Sequence, residues 1–197
     1  MLGKFLAHGS NGVLVAACLA TALLAAAGVM PISVWCVLAG AMLFYLTEYG
    51  THRFMFHARP SRFAWVRHFQ HRLHYDHHVE PARLDLLFLP LWYVVPNALL
   101  IAAVVFGIWR DWAAVVGVLA GASGALLHYE WVHYIAHIPY RPRTAVGRYM
   151  KKYHLWHHFK NEKLWFGVSN PSMDYLYRTY RKPEEAERSG STRVLFD

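Results

Sequence analysis

Residues 5–47 read FLAHGSNGVLVAACLATALLAAAGVMPISVWCVLAGAMLFYLT, and no Asp, Glu, Lys or Arg interrupts them. A helix crosses a bilayer with about 20 apolar residues, so this run is too long for one span and suits two. Pro31 divides it, and proline is tolerated in the first turn of a helix. The sequence therefore predicts a first span near residues 12–29 and a second near residues 32–50. A cleaved signal peptide is the alternative for the first, with Lys4 as its basic flank and Ala25-Ala26-Ala27 as its cleavage site.

Two more uncharged runs follow. Residues 86–109 contain Pro90 and Pro96, which predict an irregular start or a kink. Trp92, Tyr93, Trp109 and Trp112 suit the interface between lipid and water. Residues 112–129 carry Gly117, Ala120, Gly121 and Gly124, which let helices approach closely. Only Arg110 and Asp111 separate these runs, so they predict a tight helical hairpin. Charged residues make up 16% of the chain, against about 25% in soluble domains. An ordinary soluble enzyme, a disordered chain, collagen and a coiled coil are excluded. Cys18 and Cys36 lie inside apolar stretches and form neither a disulfide framework nor a zinc knuckle. The expected organisation is a single membrane domain over residues 1–182, followed by a polar, flexible tail over residues 183–197.

The net charge of +8 lies between the apolar runs, so a membrane surface rather than nucleic acid is its expected partner. Six arginines lie from Arg53 to Arg83, and twelve Lys or Arg from Arg141 onward, while Arg110 stands alone on the opposite side. The positive-inside rule then places both basic segments and both termini in the cytoplasm.

Histidine is the compositional outlier, with fourteen in the chain and only His8 before residue 50. Four clusters stand out: HRFMFH (His52, His57), HRLHYDHH (His74, His77, His78), HYIAH (His133, His137) and HLWHH (His154, His157, His158). Positions i, i+3 and i+4 share a helix face, so His133 and His137 can grip one ion and each HxxHH can offer three imidazoles to one ion. The i, i+5 spacing of His52 and His57 needs a helix end between them, or the two serve different ions. Ten imidazoles exceed the about four to six ligands of one ion, so two ions are expected, of a kind suited to neutral imidazole: Zn, Cu, Fe or Ni. Metal-bound histidine usually donates its other N–H to a carboxylate or carbonyl. Glu48 and Glu130 are the candidate orienting partners, with Asp76 and His71 beside them, and ordinary pairing with nearby arginines is the competing role for the acids. His68 and His128 fall outside the repeated spacings, and His8 is a bystander.

These residues resemble the fatty acid hydroxylase / sterol desaturase superfamily of integral membrane enzymes. The resemblance rests on EYGTHRFMFH, HYDHH, HYEWVHYIAH and YHLWHHFKNEKLWFGVSNPSMDY, from Glu48 to about Tyr180. It implies an all-α fold of about four transmembrane helices with a cytosolic helical cap over a histidine-rich di-metal site. It implies two iron ions, at a site zinc can also fill, held by His52, His57, His74, His77, His78, His133, His137, His154, His157 and His158. It also implies O2, a membrane lipid substrate and an external electron donor, a separate protein of cytochrome b5, ferredoxin or reductase type. The HHFK and WFGVSNP stretches resemble the acyl-chain hydroxylase branch, so the expected activity inserts an O2-derived hydroxyl into a C–H bond of a fatty acyl chain. A sterol or acyl-lipid desaturase and a carotenoid hydroxylase are the alternatives within the superfamily. A zinc transporter or zinc-binding membrane protein is the alternative from another class. Trp131, Trp156, Trp165 and Phe166 are candidates to line a substrate tunnel or to anchor at the interface. Lys151, Lys152 and Lys163 are candidates to meet an anionic head group, an acidic donor or anionic lipid.

Overall fold

The computed structural model describes residues 1–196, and these are all helix, turn and loop. Two compact units form, one from residues 1–45 and 89–130 and the other from residues 46–88 and 131–197.

The first unit contains α1 (Leu2–Ala7), α2 (Gly9–Ala26), the start of α3 (Val34–Thr51), α7 (Leu91–Trp109) and most of α8 (Trp112–His137). Three stretches are long and apolar enough to cross a membrane: Gly9–Ala26, Leu84–Trp109 and Trp112–His137. The stretch expected as a second span folds as α3, but its 18 residues end in the polar run Thr47-Glu48-Tyr49-Gly50-Thr51 and it is not one of these three, against the about four spans expected. Leu23, Trp35, Leu99 and Ile108 are more than 60% exposed, as befits helices whose outer surface meets lipid rather than water.

Two glycines allow close approach, Gly121 of α8 as expected and Gly40 of α3 facing it. A Cβ on Gly121 would sit 1.9 Å from the carbonyl oxygen of Val37, and one on Gly40 would sit 2.0 Å from that of Val118. Backbone meets backbone there, so α3 and α8 touch without side chains between them. Val105, Ala114, Val115 and Val118 fill the space beside this contact. The hairpin between α7 and α8 is as tight as expected. Arg110 turns into the left-handed region (φ 53) and donates its N–H to Phe106 O at 2.8 Å, while Asp111 Oδ1 accepts from Ala113 N at 2.9 Å. Pro90 stands just before α7, so the proline-rich run does begin irregularly.

The second unit holds short elements: α4 (Ala64–Gln70), α5 (Asp76–Val79), α6 (Leu84–Leu87), α9 (Ala145–Phe159) and α10 (Ser172–Leu176), with the last residues of α3 and α8. Two π-helical turns, His52–Phe56 and His71–Tyr75, extend α3 and join α4 to α5. Thr144 caps α9, its Oγ1 accepting from Gly147 N at 3.0 Å. Lys151 is not a free surface cation: its Nζ donates to the carbonyls of Ile135, Ile138 and Tyr140, which satisfies the end of α8. Val132, Met150, Tyr153, Trp165 and Ala186 form the core. Trp165, with no exposed surface, is thus neither an interface anchor nor a tunnel wall. Residues 183–196, read from composition as a flexible tail, fold back on this unit. Lys160 Nζ donates to Pro183 O, Ser189 N donates to Lys160 O at 2.8 Å, and Phe196 lies against Tyr75.

Candidate metal centre

The ten histidines of the four clusters form two groups. His52, His57, His74, His78 and His157 make one; His77, His133, His137, His154 and His158 make the other. Within each group, one ring nitrogen from every residue lies within 4.8 Å of the others. All are buried except His57 and His137, which are half-buried.

This division corrects one expectation from spacing and decides between the two readings left open for another. First, neither HxxHH serves a single group. His74 and His78 fall in one group and His77 in the other; His154 and His158 fall in one and His157 in the other. The physical reason is angular. Adjacent residues on a helix point about 100° apart, so the two histidines of an HH pair diverge. Second, His52 and His57 share a group although they stand five positions apart. The π-helical turn brings this about: His57 N donates to His52 O at 3.1 Å, a wider turn that lays i and i+5 together as the helix ends.

Backbone carbonyls orient the first group. His157 Nδ1 donates to Leu164 O at 2.7 Å, His78 Nδ1 to Thr192 O at 2.9 Å, and His52 Nδ1 to Phe166 O. A carbonyl only accepts, so these three rings carry their proton on Nδ1 and a lone pair on Nε2. The Nε2 atoms then converge. His52 and His74 stand 3.2 Å apart, His74 and His57 2.7 Å, and His57 and His157 3.0 Å. With lone pairs at both ends of this chain, no placement of protons makes all three contacts hydrogen bonds. A shared cation resolves them, because two nitrogens about 2.1 Å from one ion at a right angle lie about 3 Å apart. In the second group, His77 and His133 Nε2 stand 3.0 Å apart and His137 and His154 Nε2 2.9 Å apart. Both nitrogens of His158 are buried without a hydrogen-bond partner among the described residues. The donor set fits two metal ions.

The loop that supplies two of the orienting carbonyls is itself pinned by acids. Asp174 accepts from Phe166 N at 2.9 Å and Gly167 N at 2.7 Å. Glu48 Oε1 accepts from Val168 N and Ser169 N, both at 2.8 Å, and its Oε2 from Ser169 Oγ. A Cβ on Gly167 would stand 2.0 Å from Asn170 O, so this tight loop admits only glycine there. Glu48 therefore bonds no histidine ring directly; the loop's buried N–H groups need its carboxylate, and the loop's carbonyls do the orienting. Glu130, also buried, accepts from Leu89 N at 2.9 Å. Asp76 accepts from His71 at 2.9 Å, and both side chains are about half exposed, so these two pair with each other at the surface. His128 meets Tyr45 Oη at 3.0 Å, His68 is exposed, and His8 pairs with Ser10. Asp174 and the carbonyls of residues 164, 166 and 192 escaped sequence reading; the run WFGVSNPSMD holds only Phe166 and Asp174 of them.

Burial, reinforced by neighbouring rings, holds His52, His57, His74, His77, His78, His154, His157 and His158 well below the usual histidine range. These rings stay neutral at physiological pH, the form that binds metal.

Fold and site together define a helical protein with helices of membrane-spanning length and a double histidine cluster able to hold metal. The sequence model of the fatty acid hydroxylase family matches residues 37–179, and the chain belongs to that family. It is similar to the ceramide very long chain fatty acid hydroxylase SCS7 of Saccharomyces cerevisiae, with 34% identity over 149 residues, 74% of this chain and 38% of the relative. It is 34% identical over 153 residues to the fatty acid 2-hydroxylase of Rattus norvegicus, covering 75% of this chain and 40% of that one. It is 28% identical over 143 residues to the dihydroceramide fatty acyl 2-hydroxylase FAH2 of Arabidopsis thaliana, covering 71% of this chain and 58% of the relative. The chain thus spans 38% and 40% of the length of the yeast and rat relatives. A solved structure of full-length scs7p, with only its hydroxylase domain visible, superposes with a TM-score of 0.69 at 26% identity, over 95% of this chain and 66% of that one.

Proposed function

We propose that this chain is a membrane-bound di-iron lipid hydroxylase that places an O2-derived hydroxyl group on a fatty acyl chain. Carbon 2 is the proposed position, as the names of the rat and Arabidopsis relatives state for those proteins. The convergence of ring nitrogens in two groups of five histidines, with Nε2 of His52, His78 and His157 left unprotonated by their carbonyl partners, carries the reading. All ten are proposed ligands, five to each ion, and zinc fits the same nitrogens.

Iron, when bound, supplies reductive activation of O2, with electrons from a separate cytochrome b5-, ferredoxin- or reductase-type protein. The chain supplies the rest. The Leu164, Phe166 and Thr192 carbonyls fix three rings so that only Nε2 faces the site. Glu48 and Asp174 hold the loop that carries two of those carbonyls. Buried rings such as Phe56 and Phe166, both 5% exposed, keep water from the histidines. Glu130 is proposed to fix the end of its helix by holding Leu89 N–H. The substrate chain is proposed to reach the histidines from the bilayer. The excess of Lys and Arg in residues 53–83 and 141–193 supports placing both termini and the histidines on the cytoplasmic side.

Expression in a lipid-rich host with added iron, followed by mass spectrometry of whole-cell lipids, tests this. The expected result is acyl species heavier by one oxygen at carbon 2, absent with His57→Ala. Loss of two hydrogens instead would make it a desaturase. Unchanged lipids from metal-loaded protein with reductant supplied would overturn the reading, and zinc uptake into vesicles would replace it with transport.

A further inference from the structure

A cavity of about 370 Å³ lies against His57, the half-buried member of the first group, and its volume suits a small ligand or the end of a larger one. Three cations line it: Arg53, Arg59 and Lys163. None of them forms an ion pair among the described residues. Arg53 is held in place, its guanidinium 5.8 Å from the ring centres of both Tyr49 and Phe166 and one N–H donated to Tyr49 Oη at 2.7 Å. Glu162 is the acid of the wall, and its Oε1 is taken by the hydroxyls of Ser189 and Ser191 at 2.9 and 2.8 Å. Phe54, Phe166 and Phe196 supply apolar surface beside these charges.

We infer that this cavity receives the anionic end, a carboxylate or phosphate, of the acyl substrate, with Arg59 and Lys163 pairing to it beside the fixed Arg53. The ligand's identity rests on the hydroxylase reading. In a free fatty acid oxidised at carbon 2 the neighbouring atom is the carboxylate carbon, so its charged head must lie close to the proposed metal ligands, and this cavity abuts one of them. Three cations against one acid select an anion, and the phenyl rings select an amphiphile. A concave site lined this way fits a lipid end better than the convex face of an acidic protein.

The test uses the full chain loaded with zinc, which binds without turnover, in neutral detergent. A fluorescent long-chain fatty acid and its methyl ester are titrated separately. The acid is expected to bind at least about tenfold more tightly than the ester, and R59Q/K163Q is expected to abolish that difference while zinc content stays constant. R59K/K163R, which keeps both charges, is expected to retain it. Competition by inorganic phosphate would extend the site to phosphate heads; its absence would restrict the site to carboxylates, and either supports the assignment. Equal binding of acid and ester, or full acid binding by R59Q/K163Q, overturns it. Normal acid binding by that variant with slower reduction of the iron-loaded protein also overturns it, and would assign the charges to docking of a donor. Selective acid binding without hydroxylated product from the iron form would leave the cavity assigned and sink the hydroxylase reading instead.

Discussion

His78 Nδ1 donates to the carbonyl oxygen of Thr192 at 2.9 Å, across 114 positions of the chain. Thr192 is held nearby because Ser189 and Ser191 bond Glu162, a buried acid just past α9. The closing segment of the chain thus orients a histidine of the first group. Removing residues 183–197 should weaken metal binding by the first group about 10- to 100-fold and leave the second group's ion in place. Metal content under chelator competition would show a fall from about two ions to about one per chain. Two ions retained with unchanged affinity would deny Thr192 this role.

Glu48 satisfies two loop N–H groups and one hydroxyl. Glu48→Ala leaves those donors buried and unpaired, at a cost of about 1–3 kcal/mol each. Glu48→Gln keeps an acceptor oxygen and should lose less. Thermal unfolding of the two variants should rank Ala well below Gln; equal melting temperatures would show that water or another group takes over.

The two groups should load separately. His57→Ala should remove one ion, His137→Ala the other, and the double variant both, because each residue belongs to a different group. Elemental analysis of folded protein reads this directly. Loss of both ions from either single variant would mean that the groups form one cooperative site.

Acid should release the metal and destabilise the fold. The buried histidines have pKa values below the unfolded value of about 6.5, so their neutral state is matched in the unfolded chain above that pH. Below about pH 6.5 the unfolded chain takes up protons that the folded one resists, and stability falls as pH falls. Each such group contributes up to about 1.4 kcal/mol per pH unit. Melting temperature measured from pH 8 to pH 5 should drop steeply below pH 6.5; a flat profile would contradict the burial of neutral rings.

Gly121→Val should unseat α8 from α3, since its new Cβ meets the backbone oxygen of Val37, which has nowhere to go. Overpacking of this kind costs about 1–3 kcal/mol or more. Proteolysis of the variant in detergent, compared with Gly124→Val, measures it. Gly124 has open space around it, so that variant should behave as the parent.

Much of this was readable from residue patterns. The uncharged runs gave the apolar helices, Arg110-Asp111 gave the hairpin, and the histidine spacings singled out the ten residues that cluster. What spacing missed has a common cause. The partition of His77 from His78 depends on directions around a helix, and the union of His52 with His57 depends on a π-helical turn that no residue type signals. The orienting acceptors are backbone carbonyls of Leu164, Phe166 and Thr192, which every residue possesses and no sequence marks. The polar composition of residues 183–197 suggested a flexible tail, although Ala186 packs in the core and Ser189 and Ser191 hold Glu162.

The most direct test of the central claim is turnover under labelled oxygen. Purified, iron-loaded protein would be given reductant, acyl lipid and 18O2, and its products fragmented in a mass spectrometer. The account predicts one 18O atom on carbon 2 of the acyl chain, with none from labelled water. Product oxygen derived from water, or no product from protein holding two irons and accepting electrons, would contradict it.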